Sequence, residues 1–351
     1  MNSDRSDWAN KNQANLYSKK QRKNRLFIAF LALTLIISGL IALGAGSYIT
    51  DPADLIKAIF GQAEDPKINI IIQNNRLPRI LTAIVAGAGL GLVGCILQAI
   101  LQNPLASAST LGVSQGAGFG AALAIIVFDL SSRAIWAIPL FAFVGSVSVA
   151  ILILGLSRIR SISPETIVLA GVAISSMFTG ATALIQYFAD EVQLAGLIYW
   201  TFGDLGSSLW PDIHRMLALV SLFGLYCFLH RWDYNALLTG RETAISLGIQ
   251  VQSLTMINMV FCCLTASFIV SHVGLISFVG LVAPHLVRMV VGNNHVYLIP
   301  GALLAGAVIL LLSDVLARTI IAPVILPIGA ITSFLGAPLF LFLLFKERSY
   351  P

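Results

Sequence analysis

The strongest constraint on the fold is a run of 49 residues, 80–128, that contains no Asp, Glu, Lys, Arg or His. A single bilayer crossing takes about 20 apolar residues, so the run is too long for one span. It also contains eight glycines and the polar segment Gln102-Asn103-Pro104-Leu105-Ala106. Non-helical backbone persists at membrane depth only where protein buries it or where it lines a water-filled path. The run therefore predicts two helices of a polytopic membrane protein that surrounds a conduit.

Charge-free segments along the rest of the chain predict about ten transmembrane helices in an all-α fold, some of them broken or of half length. Hydrophobic residues make up 57% of the chain and charged residues 11%, whereas soluble domains carry about 25% charged residues. The predicted spans are 26–50, two within 80–128, 134–157, 166–189, 216–229, 243–271, 273–284, 296–313 and 319–345. Span 216–229 needs residues 210–215 to cross, and span 273–284 needs His285 and the residues after it. One transmembrane domain over 26–346 is expected to follow a polar tail over 1–25.

The distribution of basic residues predicts the orientation. Ten spans place both termini on one side, and 14 of the 21 Lys and Arg residues lie on that side. The positive-inside rule makes it cytoplasmic. Because orientation explains the excess of positive charge, no nucleic-acid partner is expected.

Three arginines fall on the opposite, outer side, where basic residues are least expected. Arg76 and Arg79 are three residues apart, with Pro78 between them in the predicted first turn of a helix. They either bind an acidic partner or extend to the lipid headgroups, as long basic side chains do at helix ends. Arg318 has Asp314 one turn earlier, which predicts an i,i+4 ion pair.

Motifs in both halves of the chain resemble one transporter family. The first half contains Arg76-Leu77-Pro78-Arg79, Gly87-Ala88-Gly89-Leu90, Gly94, Gln98, Asn103-Pro104-Leu105-Ala106 and Leu111-Gly112-Val113-Ser114-Gln115-Gly116-Ala117. The second half contains 274–281, Pro284-His285-Leu286-Val287-Arg288, Ser313-Asp314 with Arg318, Leu326-Pro327-Ile328-Gly329 and Gly336-Ala337-Pro338-Leu339-Phe340. In this order, over about residues 70–345, they resemble the FecCD family, the permease subunits of ABC importers for ferric siderophores, haem and cobalamin.

The resemblance implies a ten-helix permease subunit in the bacterial inner membrane that binds no cofactor or metal itself. Its implied partners are a second permease subunit, the same or homologous, two cytoplasmic ATPase subunits that use ATP and Mg, an extracytoplasmic binding protein, and membrane lipid. A ferric siderophore is the expected substrate, with haem or cobalamin as alternatives.

The resemblance also implies roles for residues at both ends of the spans. Arg76, Arg79 and Arg318 match the arginines that meet acidic residues of the binding protein. Asn103 and Leu105 match one wall of a cytoplasmic gate, with Ser163 and Pro164 as the other wall. A simple Asn-Pro turn is the alternative interpretation of that segment.

The loop 235–250 resembles the segment through which the ATPase drives the permease, and Arg241, Ala244, Leu247 and Gly248 are its candidate residues. Its second half predicts a short helix with Ala244 and Leu247 on one face, ended by Gly248. An amphipathic helix resting on the membrane surface is the alternative.

The chain departs from the family pattern at three places. Ser107-Ala108 stands where the family usually has Asp-Pro, Ile325 where it has Glu, and Asn294-His295-Val296 where it has Asp-His-Arg. The first and third departures concern the gate side, and the second concerns the outer mouth.

Other function classes are disfavoured by what the sequence lacks. It contains no Gly-x-x-x-x-Gly-Lys-Ser/Thr phosphate loop, so ATP hydrolysis is expected in a separate subunit. An ion-coupled secondary transporter usually places ionisable residues near mid-bilayer, and here the spans are almost free of carboxylates. The five histidines show no metal-ligand spacing, and we interpret His285 and Arg288 as interfacial anchors. The four cysteines lie in or beside apolar runs and predict no disulfide.

Overall fold

A computed structural model describes residues 2–45, 51–130, 136–159 and 164–347, and within these ranges the chain is helical with no β-strand. The helices are α1 (Asn2–Gly44), α2 (Pro52–Ile59), α3 (Pro66–Ile71), α4 (Leu77–Ile100), α5 (Val113–Ala122), α6 (Ala137–Ile159), α7 (Pro164–Tyr187), α8 (Glu191–Phe202), α9 (Trp210–Leu229), α10 (Arg231–Leu237), α11 (Arg241–Ser246), α12 (Val251–Val273), α13 (Val279–Val291), α14 (His295–Thr319) and α15 (Ile328–Glu347). A π-helical turn, Ile72–Arg76, joins α3 to α4, and a second, Leu123–Val127, extends α5.

The predicted spans correspond to ten of these helices. Within the described residues, seven segments are long and apolar enough to cross a membrane, and they contain α1, α4, α6, α7, α9, α12 and α14. Three shorter apolar helices account for the others, namely α5 with its π-helical extension, α13 and α15. The all-α, broken-helix fold class is therefore confirmed.

Several predicted boundaries were wrong, because turns interrupt segments that carry no charge. Span 243–271 is divided into α11 and α12 at Gly248, whose φ of 87° ends the first helix. The span predicted from residue 273 begins only at Val279, after Gly274 with a φ of 76°. Residues 320–327 separate α14 from α15. The predicted first span is part of α1, which starts within the polar tail and ends at Gly44, and residues 46–50 lie outside the described ranges.

Helix α4 lies at the centre of the bundle, packed against α9, α12, α13 and α14. Its glycines permit this, because a methyl group on Gly94 would overlap the carbonyl oxygen of Gly280 in the approach to α13. A methyl group on Gly87 would likewise meet the backbone of Gly306 in α14. Small residues let helix backbones approach closely in membranes. At about 1.5 Å per residue, the 24 residues of α4 span about 36 Å, so its two ends lie at opposite faces of the bundle.

Candidate functional site

Arg76, Arg79 and Arg318, here called the arginine cluster, lie together at the end of the bundle where α4 begins. Arg76 directly precedes α4, Arg79 lies in its first turn with Pro78, and Arg318 lies in the last turn of α14. All three residues are buried, at 7%, 7% and 9% exposure, which the sequence alone did not indicate. Each side chain ends on protein partners, which also argues against extension into lipid headgroups.

Asp314 is the central partner of the cluster. Its carboxylate is fully buried and accepts hydrogen bonds from Arg79 Nε at 2.7 Å and from Arg318 Nε at 2.9 Å. The predicted pair between Asp314 and Arg318 is confirmed, while the bond to Arg79, 235 residues away in sequence, was not predicted. A buried charge without a partner costs free energy, so Asp314, Arg79 and Arg318 are stable here only as a bonded set. The two hydrogen bonds to Asp314 also fix the positions of both guanidinium groups. The cluster thereby ties α4 to α14.

The end of α1 supplies a second set of partners. Arg318 donates to the carbonyl oxygens of Ala45 at 2.9 Å and Ala42 at 3.3 Å, and Arg76 donates to that of Leu43 at 2.6 Å. The last carbonyl groups of a helix lack partners within the helix and carry partial negative charge. The arginines therefore cap α1 as well as neutralising Asp314.

A second carboxylate, Asp204, lies on the solvent side of the cluster. Its Oδ1 is 3.7 Å from Arg79 Nη1, and its side chain is 44% exposed. A backbone hydrogen bond of 3.0 Å from Asp204 N to Val273 O holds it there, after the turn at Gly203. This residue was not predicted from the sequence, where its only signal is a Gly-Asp pair at the end of an apolar helix.

The opposite end of α4 leads into residues 101–112, here called the gate segment, which has no regular helix. Asn103 Oδ1 accepts a hydrogen bond from Leu105 N at 2.9 Å, and Leu105 is 45% exposed. Farther along, Thr110 Oγ1 donates to Ser107 O at 2.9 Å and accepts from Ser107 N at 2.9 Å. Side-chain to backbone hydrogen bonds within the gate segment thus take the place of the backbone hydrogen bonds of a helix. Ser163 lies outside the described residues and Pro164 begins α7, so the gate role of these residues remains a prediction.

A small cavity of about 20 Å³ lies beside the gate segment. Its walls include Ser107, Ala108 and Ser109 from the segment, with Ser114 from α5 and Phe278 from the turn before α13. Serine residues stand among walls that are mainly apolar, and a space of this size is enough for one water molecule. The departure Ser107-Ala108 therefore lines an internal space.

The candidate coupling loop, 235–250, contains the end of α10 and the short helix α11. Ala244 is fully buried, whereas Leu247 is 65% exposed. The prediction that Ala244 and Leu247 share one helix face was wrong. Helix α11 ends at Ser246, and Leu247 lies in the turn that Gly248 completes. The exposed side of the loop presents Arg241 with Leu247 and two apolar residues that sequence analysis missed, Leu238 and Ile245.

Hydrogen bonds fasten this loop to the gate segment and to α14. Gln102 Nε2 donates to Leu237 O at 2.9 Å. Asn235 donates to Asn294 Oδ1 at 3.0 Å and accepts from His295 N at 2.8 Å. The departure at Asn294 therefore has a structural role, and its side chain also caps α14 by accepting from Val296 N.

Other buried polar groups lie near the same end. The Tyr234 hydroxyl donates to Asn258 Oδ1 at 2.7 Å, and burial raises the pKa of Tyr234, so the donor stays protonated. His285 is 1% exposed and packs edge-on against Phe340, which contradicts its predicted role as an interfacial anchor. Arg288 donates to Gln98 Oε1 at 2.8 Å and links α13 to α4.

Comparison with known proteins identifies the family. A family model described as the FecCD transport family matches residues 34–346. The chain belongs to the FecCD transport family.

Relatives named as permeases match nearly the whole FecCD chain. A protein of Methanocaldococcus jannaschii named as an ABC transporter permease is 46% identical over 94% of this chain and 96% of its own length. The Fe(3+)-citrate import permease of Bacillus subtilis is 37% identical over 94% of this chain and 98% of its own length. The hemin transport permease of Yersinia pestis is 34% identical over 92% and 96%. A vitamin B12 import permease of Salmonella paratyphi A is also 34% identical, over 94% and 98%.

A solved structure shares the fold. A metal-chelate type ABC transporter in an inward-facing conformation is 32% identical, with a TM-score of 0.80 over 91% of this chain and 98% of that one. Among the described residues of our FecCD chain, no group of three or more His, Cys, Asp or Glu side chains is placed to hold a metal ion. The four cysteines are buried and free.

Proposed function

We propose that this chain is the permease subunit of an ATP-driven importer, forming the translocation pathway for a ferric siderophore in the bacterial inner membrane. The observation that carries the proposal is membership of the FecCD family over 34–346 together with the relative named for Fe(3+)-citrate import. The permease itself is non-catalytic in this assembly, and ATP hydrolysis with Mg occurs in a separate subunit. Haem or cobalamin import is the second candidate, favoured by the hemin and vitamin B12 relatives.

Uptake by a strain deleted for this chain tests the substrate. The strain is offered labelled ferric siderophores, ferric citrate, haem and cobalamin, with the wild-type gene restored on a plasmid as control. Restored uptake of one or more ferric chelates supports the proposal. Restored uptake of haem or cobalamin alone contradicts it.

The assembly that we propose contains two permease subunits, two ATPases and one extracytoplasmic binding protein. The gate segment and the coupling loop then face the cytoplasm, as the positive-inside rule predicts. The exposed apolar side chains of Leu238, Ile245 and Leu247 suit the groove of an ATPase subunit, because they lie together on a loop that hydrogen bonds hold in place. We propose that Asn103 and Leu105 act at the cytoplasmic gate together with Pro164, which begins α7, and with Ser163, which lies outside the described residues.

The arginine cluster is proposed as the docking site for acidic residues of the binding protein. Its support is electrostatic: of the three guanidinium groups, those of Arg79 and Arg318 share one fully buried carboxylate, Asp314, that of Arg76 binds the carbonyl oxygen of Leu43, and a partly exposed carboxylate, Asp204, lies beside Arg79. Complementary charge at such a surface mainly raises the association rate and fixes the register. The burial of the cluster means that the partner reaches only the outward edges of these side chains.

Replacing each arginine of the cluster by Gln tests this docking role. Charge reversal is a poor choice here, because a Glu at position 79 would face Asp314 in a buried site. Arg215, which lies in the second turn of α9 and is 63% exposed, provides the control for loss of one positive charge. We expect the cluster variants to slow association with the binding protein and to flatten its salt dependence, while Arg215→Gln changes little. Unchanged association in all three variants would rule out the docking role.

A further inference from the structure

Two carboxylates contact Arg79 of the arginine cluster through different nitrogen atoms, and their surroundings differ. Asp314 is fully buried between Arg79 and Arg318, at 2.7 and 2.9 Å. Asp204 is 44% exposed and approaches Arg79 Nη1 only to 3.7 Å. The first contact is a pair of charge-assisted hydrogen bonds, and the second is a looser ion pair at the solvent boundary.

We propose that these two acids have opposite roles in docking: Asp314 positions the arginines for the binding protein, and Asp204 occupies the place that a carboxylate of the binding protein takes. This inference rests on the proposed docking function and adds two residues to it. It also assigns the partner's group chemically, as a carboxylate delivered to the outward edge of Arg79.

The positioning role follows from the geometry of Asp314. One carboxylate oxygen binds Arg79 Nε and the other binds Arg318 Nε, so the planes of the two guanidinium groups are set by a single rigid acceptor. Arg318 is fixed further by the carbonyl oxygens of Ala42 and Ala45. An arginine whose conformation is already fixed loses less entropy when a partner binds it.

The competing role follows from the placement of Asp204. Its backbone is held by the bond from Asp204 N to Val273 O, and its carboxylate also accepts from Gly206 N at 2.9 Å. These bonds remain available to Asp204 when its weak contact with Arg79 is lost. A partner carboxylate that makes a shorter bond to Arg79 therefore displaces it at small cost, since exposed ion pairs contribute little.

The two roles give predictions of opposite sign, which distinguishes them from a simple effect of net charge. Removing either acid makes the surface more positive, so charge alone predicts tighter binding of an acidic partner in both cases. Our proposal predicts that Asp314→Asn weakens binding, by about tenfold, because the amide no longer orients both arginines. It predicts that Asp204→Asn strengthens binding, by about threefold, because an exposed competitor is removed.

The measurement is the affinity of the cognate extracytoplasmic binding protein for the intact permease–ATPase complex in nanodiscs, at several salt concentrations. Arg318→Lys is a second test of positioning, since it keeps the charge but loses the planar fork, and it should also weaken binding. Tighter or unchanged binding in both Asp314→Asn and Arg318→Lys would overturn the positioning role. Weaker or unchanged binding in Asp204→Asn would overturn the competing role.

Failure of the docking function itself gives a separate result. If the Gln variants of all three arginines bind like wild type, the cluster does not dock the partner at all. If those variants lose binding while Asp314→Asn gains it, docking stands and only the inferred roles of the two acids are wrong.

Discussion

The two ends of α4 carry polar networks of different chemistry. At its start, full charges meet in a buried site, where Asp314 binds Arg79 and Arg318. At its other end neutral amides form bonds such as that from Gln102 to Leu237, and Arg288, which is charged, donates to the neutral amide of Gln98 and not to a carboxylate. Removing one partner of a buried ion pair lowers the stability of the fold by about 3–5 kcal/mol. A neutral hydrogen bond contributes only about 0.5–1.5 kcal/mol to that stability. The comparison indicates a rigid end with a fixed geometry and an opposite end whose bonds break and re-form easily.

The largest effect expected from this comparison is on stability at the charged end. Asp314→Ala leaves Arg79 and Arg318 buried without their acceptor, and we expect the complex to lose about 3–5 kcal/mol of stability. Asp204→Ala is the matched control, because its ion pair is half exposed, and it should change stability by about 0–1 kcal/mol. Thermal unfolding of both variants in detergent checks the difference. Equal melting temperatures for the two variants would show that the buried Asp314 contributes no more to stability than the partly exposed Asp204.

A large functional effect is expected at the exposed side of the coupling loop. Replacing Ile245 and Leu247 together by Glu places two charges where two apolar side chains are 54% and 65% exposed. We expect ATP hydrolysis to be uncoupled from uptake while membrane insertion stays normal, because the ATPase groove no longer accepts the loop. Gln250→Glu adds charge to an exposed residue of the same loop and is the control. Wild-type uptake in the double variant would exclude this loop as the coupling element.

A smaller effect is expected at the bond between the gate segment and the coupling loop. In Gln102→Asn, the new asparagine tolerates the φ of 46° found at this position. Its side chain is too short to reach the carbonyl oxygen of Leu237, so the hydrogen bond is lost. Loss of one neutral hydrogen bond of about 1 kcal/mol predicts a change of about fivefold in the ratio of ATP hydrolysed to substrate carried. Gln102→Glu should have at least this effect, since its carboxylate faces a carbonyl oxygen. A wild-type ratio in both variants would mean that the bond transmits no movement.

Helix periodicity and charge predicted the parts of the fold that depend on local sequence. The charge-free runs located the ten apolar helices found within the described residues, and the four-residue spacing of Asp314 and Arg318 predicted their ion pair. Contacts between distant segments were not predictable in this way. The bond between Arg79 and Asp314 joins residues 235 positions apart, and its existence depends on how α4 packs against α14.

Turn positions and exposure caused the remaining errors. A charge-free segment does not reveal where a glycine takes a positive φ, so the turns at Gly248 and Gly274 were placed inside predicted spans. The same limit explains Leu247, whose side chain leaves the helical face because α11 has already ended. The burial of Arg76 and Arg318 could not be predicted from the sequence either, because their partners include backbone carbonyl groups at the end of α1.

Uptake by the reconstituted complex tests whether this chain is the permease of an ATP-driven importer for a ferric siderophore. The permease, its ATPase and its binding protein are placed in proteoliposomes and offered a radiolabelled ferric siderophore, with and without ATP. Our account predicts accumulation that requires both ATP and the binding protein and is absent when the ATPase is inactivated. Accumulation driven by a proton or sodium gradient in the absence of ATP would contradict it.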